Sequence, residues 1–166
     1  MSIDLQAFEQ SLTSVGVAAA RVPPDEVAAA IEQFTTGPTV GVSLDRDGVD
    51  LPDSVDVDPT AAALEEATTG VTPAAFGIAD YGSLVLPSTD GGSELVSLFV
   101  DHHVAVLDEA DVVPDMKAAF ERFARDIPEA YGDAIIATGP SATADMGALV
   151  KGAHGPSEVR VVVVEA

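Results

Sequence analysis

No cysteine occurs among the 166 residues. The chain therefore forms no disulfide, uses no thiol nucleophile and ligates no iron–sulfur cluster through thiolates of its own. Any redox centre it works with has to be carried by a partner. Positive charge is almost as scarce: 7 Lys plus Arg stand against 28 Asp plus Glu, a formal net charge of −21, and Lys117 and Lys151 are the only lysines. Binding nucleic acid or anionic lipid needs a cationic surface that releases counterions, so neither is expected as a partner. No apolar run approaches bilayer length; the best, Val159–Val164, is interrupted by Arg160. Met1-Ser2-Ile3-Asp4 lacks the basic region and apolar stretch of a secretory signal, and a cytoplasmic location is the expectation.

What is present is a chain that is 47% hydrophobic, too rich in Val, Ile, Leu and Ala for a disordered acidic protein. Its length suits one domain, 1–166, with a sizeable core. The acid excess over an Ala-rich background is the composition of a protein adapted to a salt-in halophile's cytoplasm. There, at molar salt, the Debye length shrinks to about 3 Å and surface carboxylates stop repelling over distance. An ordinary acidic protein is the alternative reading, and a requirement of the fold for salt separates the two.

Hydrophobic spacing predicts a helix through Leu5, Phe8, Leu12 and Val15, ended by Gly16, and a second opened by Pro23-Pro24 with Val27, Ala30, Ile31 and Phe34 on one face, closed by Gly37-Pro38. Thr39–Ser43 reads as a short strand. Leu44 to Asp58 reads as a solvated acidic excursion around one weak strand at Val55–Val57; its aspartates lack the Gly position and terminal Glu of a calcium loop. Asp58-Pro59 reads as the cap and first turn of a helix through Glu66, broken by Thr69-Gly70. The runs Ala75–Ala79 and Ser83–Leu86 flank Asp80-Tyr81-Gly82 as a hairpin would. A helical turn at Ser93–Leu98 and a strand at His103–Leu107 follow, then an amphipathic helix from near Pro114 with Met116, Ala119, Phe120, Phe123 and Ile127 on one face. The end reads as strand Ala134–Thr138, turn Gly139-Pro140-Ser141, helix to Lys151 stopped at Gly152, and strand Val159–Val164: a βαβ unit, hence an α/β fold with a largely parallel sheet covered on both faces.

Two constellations could carry chemistry. In Thr138-Gly139-Pro140-Ser141-Ala142-Thr143-Ala144-Asp145 a strand would run into a helix, presenting backbone N–H groups, Ser141 and Thr143 to an anion, with Asp145 in the first helical turn. The structural alternative makes Ser141 an N-cap and Asp145 a dipole partner, contributing about 1 kcal/mol each. Neither a Gly-x-Gly-x-x-Gly fingerprint nor a P-loop is present. His154, in Gly152-Ala153-His154-Gly155-Pro156, is a candidate acid, base or ligand contact, or else a backbone hydrogen bonder in a turn. Adjacent His102 and His103 point to opposite faces of a strand and cannot easily share a metal, so no metal site is expected. Ser83, Ser88 and Ser141 lack the nucleophile-elbow context of a hydrolase.

These segments, Ile78-Ala79-Asp80-Tyr81-Gly82-Ser83-Leu84-Val85-Leu86, Leu95-Val96-Ser97-Leu98, His103-Val104-Ala105-Val106, Gly139-Pro140-Ser141-Ala142-Thr143-Ala144-Asp145 and Gly155-Pro156 after His154, in this order, resemble the LUD domain family of lactate utilization protein C. The likeness is strongest from Gly70 to Val164, with residues 1–69 as a more variable helical and strand part. It implies a three-layer α/β sandwich akin to the ribose-phosphate isomerase and CoA-transferase-like group. It also implies a part in oxidising L-lactate to pyruvate beside two partner subunits that carry iron–sulfur clusters, with no cofactor in this chain. The positions it carries over are Gly82, Ser83, His103, Gly139, Pro140, Ser141, Thr143, Ala144, Gly152 and Gly155 as ligand contacts, with Pro156 as a further motif residue and His154 and Asp145 as candidate catalytic groups. Ala142 and Glu94 stand where the family commonly carries basic residues, and Gly147 where it carries an acid. A small anion would therefore be held by backbone amides, hydroxyls, His154 and Lys151. The competing functions are a stand-alone CoA-transferase- or isomerase-like enzyme on a phosphorylated or CoA-linked metabolite, and a non-catalytic ligand sensor. Everything rests on the 139–145 and 152–156 loops meeting at one hollow.

Overall fold

The computed structural model describes residues 3–130, 132–145, 148–151 and 154–166. In chain order the elements are α1 (Ile3–Ser14), β1 (Ala18–Val22), a 3-10 turn at Pro24–Glu26, α2 (Val27–Phe34), β2 (Thr39–Gly41), β3 (Val55–Asp56), α3 (Ala61–Glu66), β4 (Thr69–Pro73), β5 (Phe76–Ile78) and β6 (Ser83–Pro87). They continue with α4 (Ser93–Phe99), β7 (His102–Asp108), a second 3-10 turn at Glu109–Asp111, β8 (Val112–Val113), α5 (Met116–Ala130), β9 (Ala134–Thr138), β10 (Ala142–Asp145), β11 (Ala148–Lys151) and β12 (Glu158–Val164).

Six strands form one sheet in the order β1-β12-β7-β4-β2-β3, and every neighbouring pair in it is parallel. Its central strands are apolar on both faces, as a parallel sheet covered on both sides requires. Val159, Val161 and Val163 of β12, with Ala105 and Leu107 of β7, pack against Leu5, Phe8 and Leu12 of α1. Val162 and Val164, with Val104, Val106 and Val71, pack on the other face against Val27, Ala30 and Ile31 of α2. A second sheet, β8-β5-β6-β9, is mixed and lies beyond α1. Its far face packs Phe76, Ile78 and Val85 on Ala119 of α5, where Phe76 meets Phe123 edge-on at 5.4 Å. The architecture is thus α/β with a parallel central sheet between helices, as the sequence predicts.

Phe8 is the wedge between the sheets. It is fully buried, and a Cβ on Gly77 of β5 would come within 2.8 Å of its ring, so only glycine lets the second sheet approach this closely. Truncating such a side chain typically costs about 3–5 kcal/mol.

Several expectations are corrected. The segment after Ser141 is an antiparallel hairpin, β10 with β11 in the register Thr143↔Val150, and not a helix running to Lys151. A glycine at position 147 would cost roughly 1 kcal/mol inside a helix, and Thr143 and Val150 are β-branched residue types that favour strands. Strands β9 and β12 accordingly do not form a βαβ unit, since they belong to different sheets. The predicted stop at Gly152 lies outside the described residues. Thr69-Gly70 begins β4, a central strand, where Gly70 sits against Val96 of α4. The exposed edge strand β1 had no apolar alternation to announce it. Helix α3 is capped by Thr60, whose hydroxyl accepts from the Ala63 N–H at 3.2 Å, and not by Asp58. Phe120 points outward and is 62% exposed.

Candidate functional site

Two hollows occupy opposite ends of the parallel strands. The first, of about 340 Å³, lies at their amino ends: His103 and Val159, the second residues of β7 and β12, both line it. The hairpin β5–β6 contributes Gly82, whose φ of +64° turns the chain at the contact with Ser11 and Leu12 of α1. Strand β9 delivers Thr138 and then the turn Gly139-Pro140-Ser141, and the loop before β12 delivers His154, Gly155 and Pro156. The two loops are tied directly, for Ser141 N–H donates to the Pro156 carbonyl at 2.8 Å. A Cβ on Gly155 would lie 3.3 Å from the Ser141 side chain, which accounts for a glycine there.

Of the residues singled out in the sequence, this hollow gathers Gly82, His103, Gly139, Pro140, Ser141, His154, Gly155 and Pro156. Ser83 stands behind it, its hydroxyl 2.7 Å from that of Thr138. Thr143, Ala144 and Asp145 belong to β10, so the arrangement offers no helix dipole to an anion. Gly152 lies outside the described residues.

The polar groups differ in how far they are already engaged. His103 is buried, and its Nε2 lies 2.8 Å from the Thr72 hydroxyl on β4. Burial lowers its pKa to about 4, so the ring is neutral near pH 7. The neighbouring His102 turns the other way, to Thr36 Oγ1 at 3.0 Å. His154 is exposed at the rim and Ser141 half-buried, and among the described residues neither side chain has a hydrogen-bond partner. No Asp or Glu occurs among the described lining residues, in a chain with 28 of them.

The second hollow, of about 770 Å³, sits at the carboxyl ends of β2, β4 and β7. From β2 the chain moves outward to β3, and from β4 it moves the opposite way to β7, so the cavity occupies a topological switch point, the customary ligand crevice of such sheets. Asp45, Asp58, Asp90, Asp108, Asp111 and Asp126 line it with Arg46 and Arg122. Both arginines are already paired, Arg46 with Asp108, and Arg122 with Asp111 at 2.5 Å and Asp126 at 3.2 Å. Arg122 also lies over the Phe76 ring, 4.8 Å from its centroid. Sequence reading missed this crevice and missed Thr72. Its one available signal was the placing of two of the few cations in segments crowded with aspartate.

Among the described residues no group of three or more metal-ligating side chains occurs, and no helix is long and apolar enough to cross a membrane.

The LUD domain model matches residues 5–164. The chain belongs to the LUD domain family. Relatives within reach of sequence comparison include the lactate utilization protein C of Halalkalibacterium halodurans, 30% identical over 74% of this chain and 55% of that protein. The lactate utilization protein C of Deinococcus radiodurans is 30% identical over 76% and 56% respectively. This LUD chain thus spans about half the length of the curated relatives it matches. The crystal structure of a DUF162 family protein from Deinococcus radiodurans shares the fold, with a TM-score of 0.72 at 23% identity over 97% of this chain and 96% of that one.

Proposed function

We propose that this LUD-domain chain serves L-lactate oxidation to pyruvate as the component that binds a small anionic metabolite, while partner subunits hold the iron–sulfur clusters that carry electrons. The observation that carries the reading is the hollow at the amino ends of β7 and β12, which has no Asp or Glu among its described lining residues. In a molecule of net charge −21, a carboxylate is repelled from most of the surface. A cavity whose described lining holds no carboxylate is where that repulsion is least. The names of the relatives supply the metabolic context. The absence of cysteine means that this chain offers no thiolate to a cluster.

In this reading His154 and the Ser141 hydroxyl donate to the ligand carboxylate at the rim. Buried His103, held by Thr72, presents a neutral wall that adds no charge. Deleting the gene is expected to abolish growth on L-lactate and to leave growth on pyruvate intact. Undiminished growth on lactate would overturn the proposal.

A further inference from the structure

The hollow is longer than its polar rim. It runs along the β6–β9 pair, whose register sets Ser83 opposite Thr138, Leu84 opposite Ala137 and Leu86 opposite Ile135. From Thr138 to Ile135 is three residues of strand, about 10 Å. The last two pairs project from the same face, because side chains alternate along a strand. Leu84, Leu86, Ile135 and Ala137 all line the cavity, together with Leu12 and Val159. The Ser141 hydroxyl and the His154 imidazole gather at one end, and the other end is the apolar wall of the main core cluster. A three-carbon acid held at His154 and Ser141 is too short to follow the strand pair as far as Leu86 and Ile135, and leaves that apolar end to water, which has no hydrogen-bonding partner there.

We propose that the hollow takes an acid with an aliphatic tail, its carboxylate at His154 and Ser141 and its chain along Leu84, Ala137, Leu86 and Ile135, in preference to a bare three-carbon acid. This rests on the reading of the hollow as an anion site and adds to it the class of ligand. The tail gains the transfer of methylenes out of water, and a rim without carboxylates lets the head group in.

Calorimetric titration of the full chain at molar KCl with L-lactate, α-hydroxybutanoate, α-hydroxyhexanoate and hexanol tests the two layers separately. Affinity is expected to rise about fourfold per added methylene, the factor that corresponds to ~0.8 kcal/mol of burial each, and hexanol is expected to bind far more weakly than the hydroxy acid of equal length. Ala137→Leu, which fills the channel on the edge strand, is expected to abolish the chain-length dependence, and a dependence that survives it overturns the tail. Lactate binding as tightly as the six-carbon acid overturns the tail and leaves the anion site standing. Hexanol binding as well as the acid, or no acid binding at all, overturns the anion site and the tail with it.

Discussion

The two ends of the parallel sheet present opposite chemistries. At the carboxyl ends the crevice is wide and lined by six aspartates against two arginines, each arginine already held by an aspartate. At the amino ends the hollow is smaller, has no carboxylate among its described residues and keeps an imidazole and a hydroxyl without partners. Topology alone favours the carboxyl-end crevice as the ligand site. Electrostatics reverses the order for an anion, because a carboxylate entering there has to displace Asp108 or Asp111 and remain beside the others. In a strongly acidic protein, where carboxylates are missing says as much as where they are.

The largest expected difference between the two ends comes from a methyl group. Gly82→Ala puts a Cβ at a φ of +64° and 2.7 Å from the Leu12 backbone nitrogen. Backbone strain and a backbone clash combine, and the cost is expected to be about 3 kcal/mol or more. Gly91→Ala in the carboxyl-end crevice meets side chains alone, Val42 at 3.0 Å and the Thr89 hydroxyl at 3.8 Å, and is expected to shift stability by less than about 1 kcal/mol. Urea denaturation of both variants checks this, and equal losses would show that the two ends are equally tight.

The next effect belongs to His103. Its folded pKa of about 4 lies below the ordinary 6.5, so its contribution is fully present above pH 6.5. As pH falls from 6.5 towards 4 the unfolded chain takes up a proton that the folded one refuses, and up to about 3 kcal/mol is lost. The acid end of that window overlaps the carboxylates, so the slope between pH 6.5 and 5 is the diagnostic part. His103→Gln is expected to flatten that slope whatever its absolute stability. A slope unchanged by the substitution would mean that the wall of the amino-end hollow is charged and not neutral.

Much of this arrangement was legible in the residues. The turn Asp80-Tyr81-Gly82, the strand Ala134–Thr138 and the valine-rich last strand were read where they stand, because a glycine at positive φ and a run of apolar residues each leave a local signature. So was the meeting of the Gly139-Pro140-Ser141 and His154 loops. The reading went wrong where local preference is weak. Ala142 to Lys151 has enough alanine and leucine for a helix, and the pairing of Thr143 with Val150 is a non-local contact that composition does not announce. Thr69–Pro73, with a glycine and a proline, becomes a central strand only because Val96 and β7 pack on it. Thr72 was missed because its role exists only through the fully buried ring beside it.

Substitutions that leave the fold intact separate the two ends as binding sites. His154→Ala removes an exposed, unpartnered ring, and is expected to weaken binding of a small carboxylate about tenfold, roughly one charge-assisted hydrogen bond, with an unchanged melting temperature. Arg122→Met at the other end is expected to do the reverse, lowering stability by about 1–3 kcal/mol through the loss of its aspartate and Phe76 contacts and leaving carboxylate affinity alone. If calorimetry finds the acid lost in the arginine variant and retained in the histidine one, the anion site is at the carboxyl ends.

The smallest effect is the one whose sign says most. Binding of an anion to a cationic site weakens as salt rises, because the attraction is screened. Here the described lining of the hollow holds no Lys, Arg, Asp or Glu and the surrounding molecule carries −21, so the long-range term is repulsive, and screening it should strengthen carboxylate binding by a few-fold between about 0.1 M and molar KCl. The same screening relieves repulsion among the surface aspartates, so the melting temperature should rise in parallel. The two responses have separate origins, and a neutral ligand such as hexanol distinguishes them by following only the second. Affinity for the acid that instead falls with salt would place it beside a guanidinium, and the crevice of Arg46 and Arg122 would then be the site.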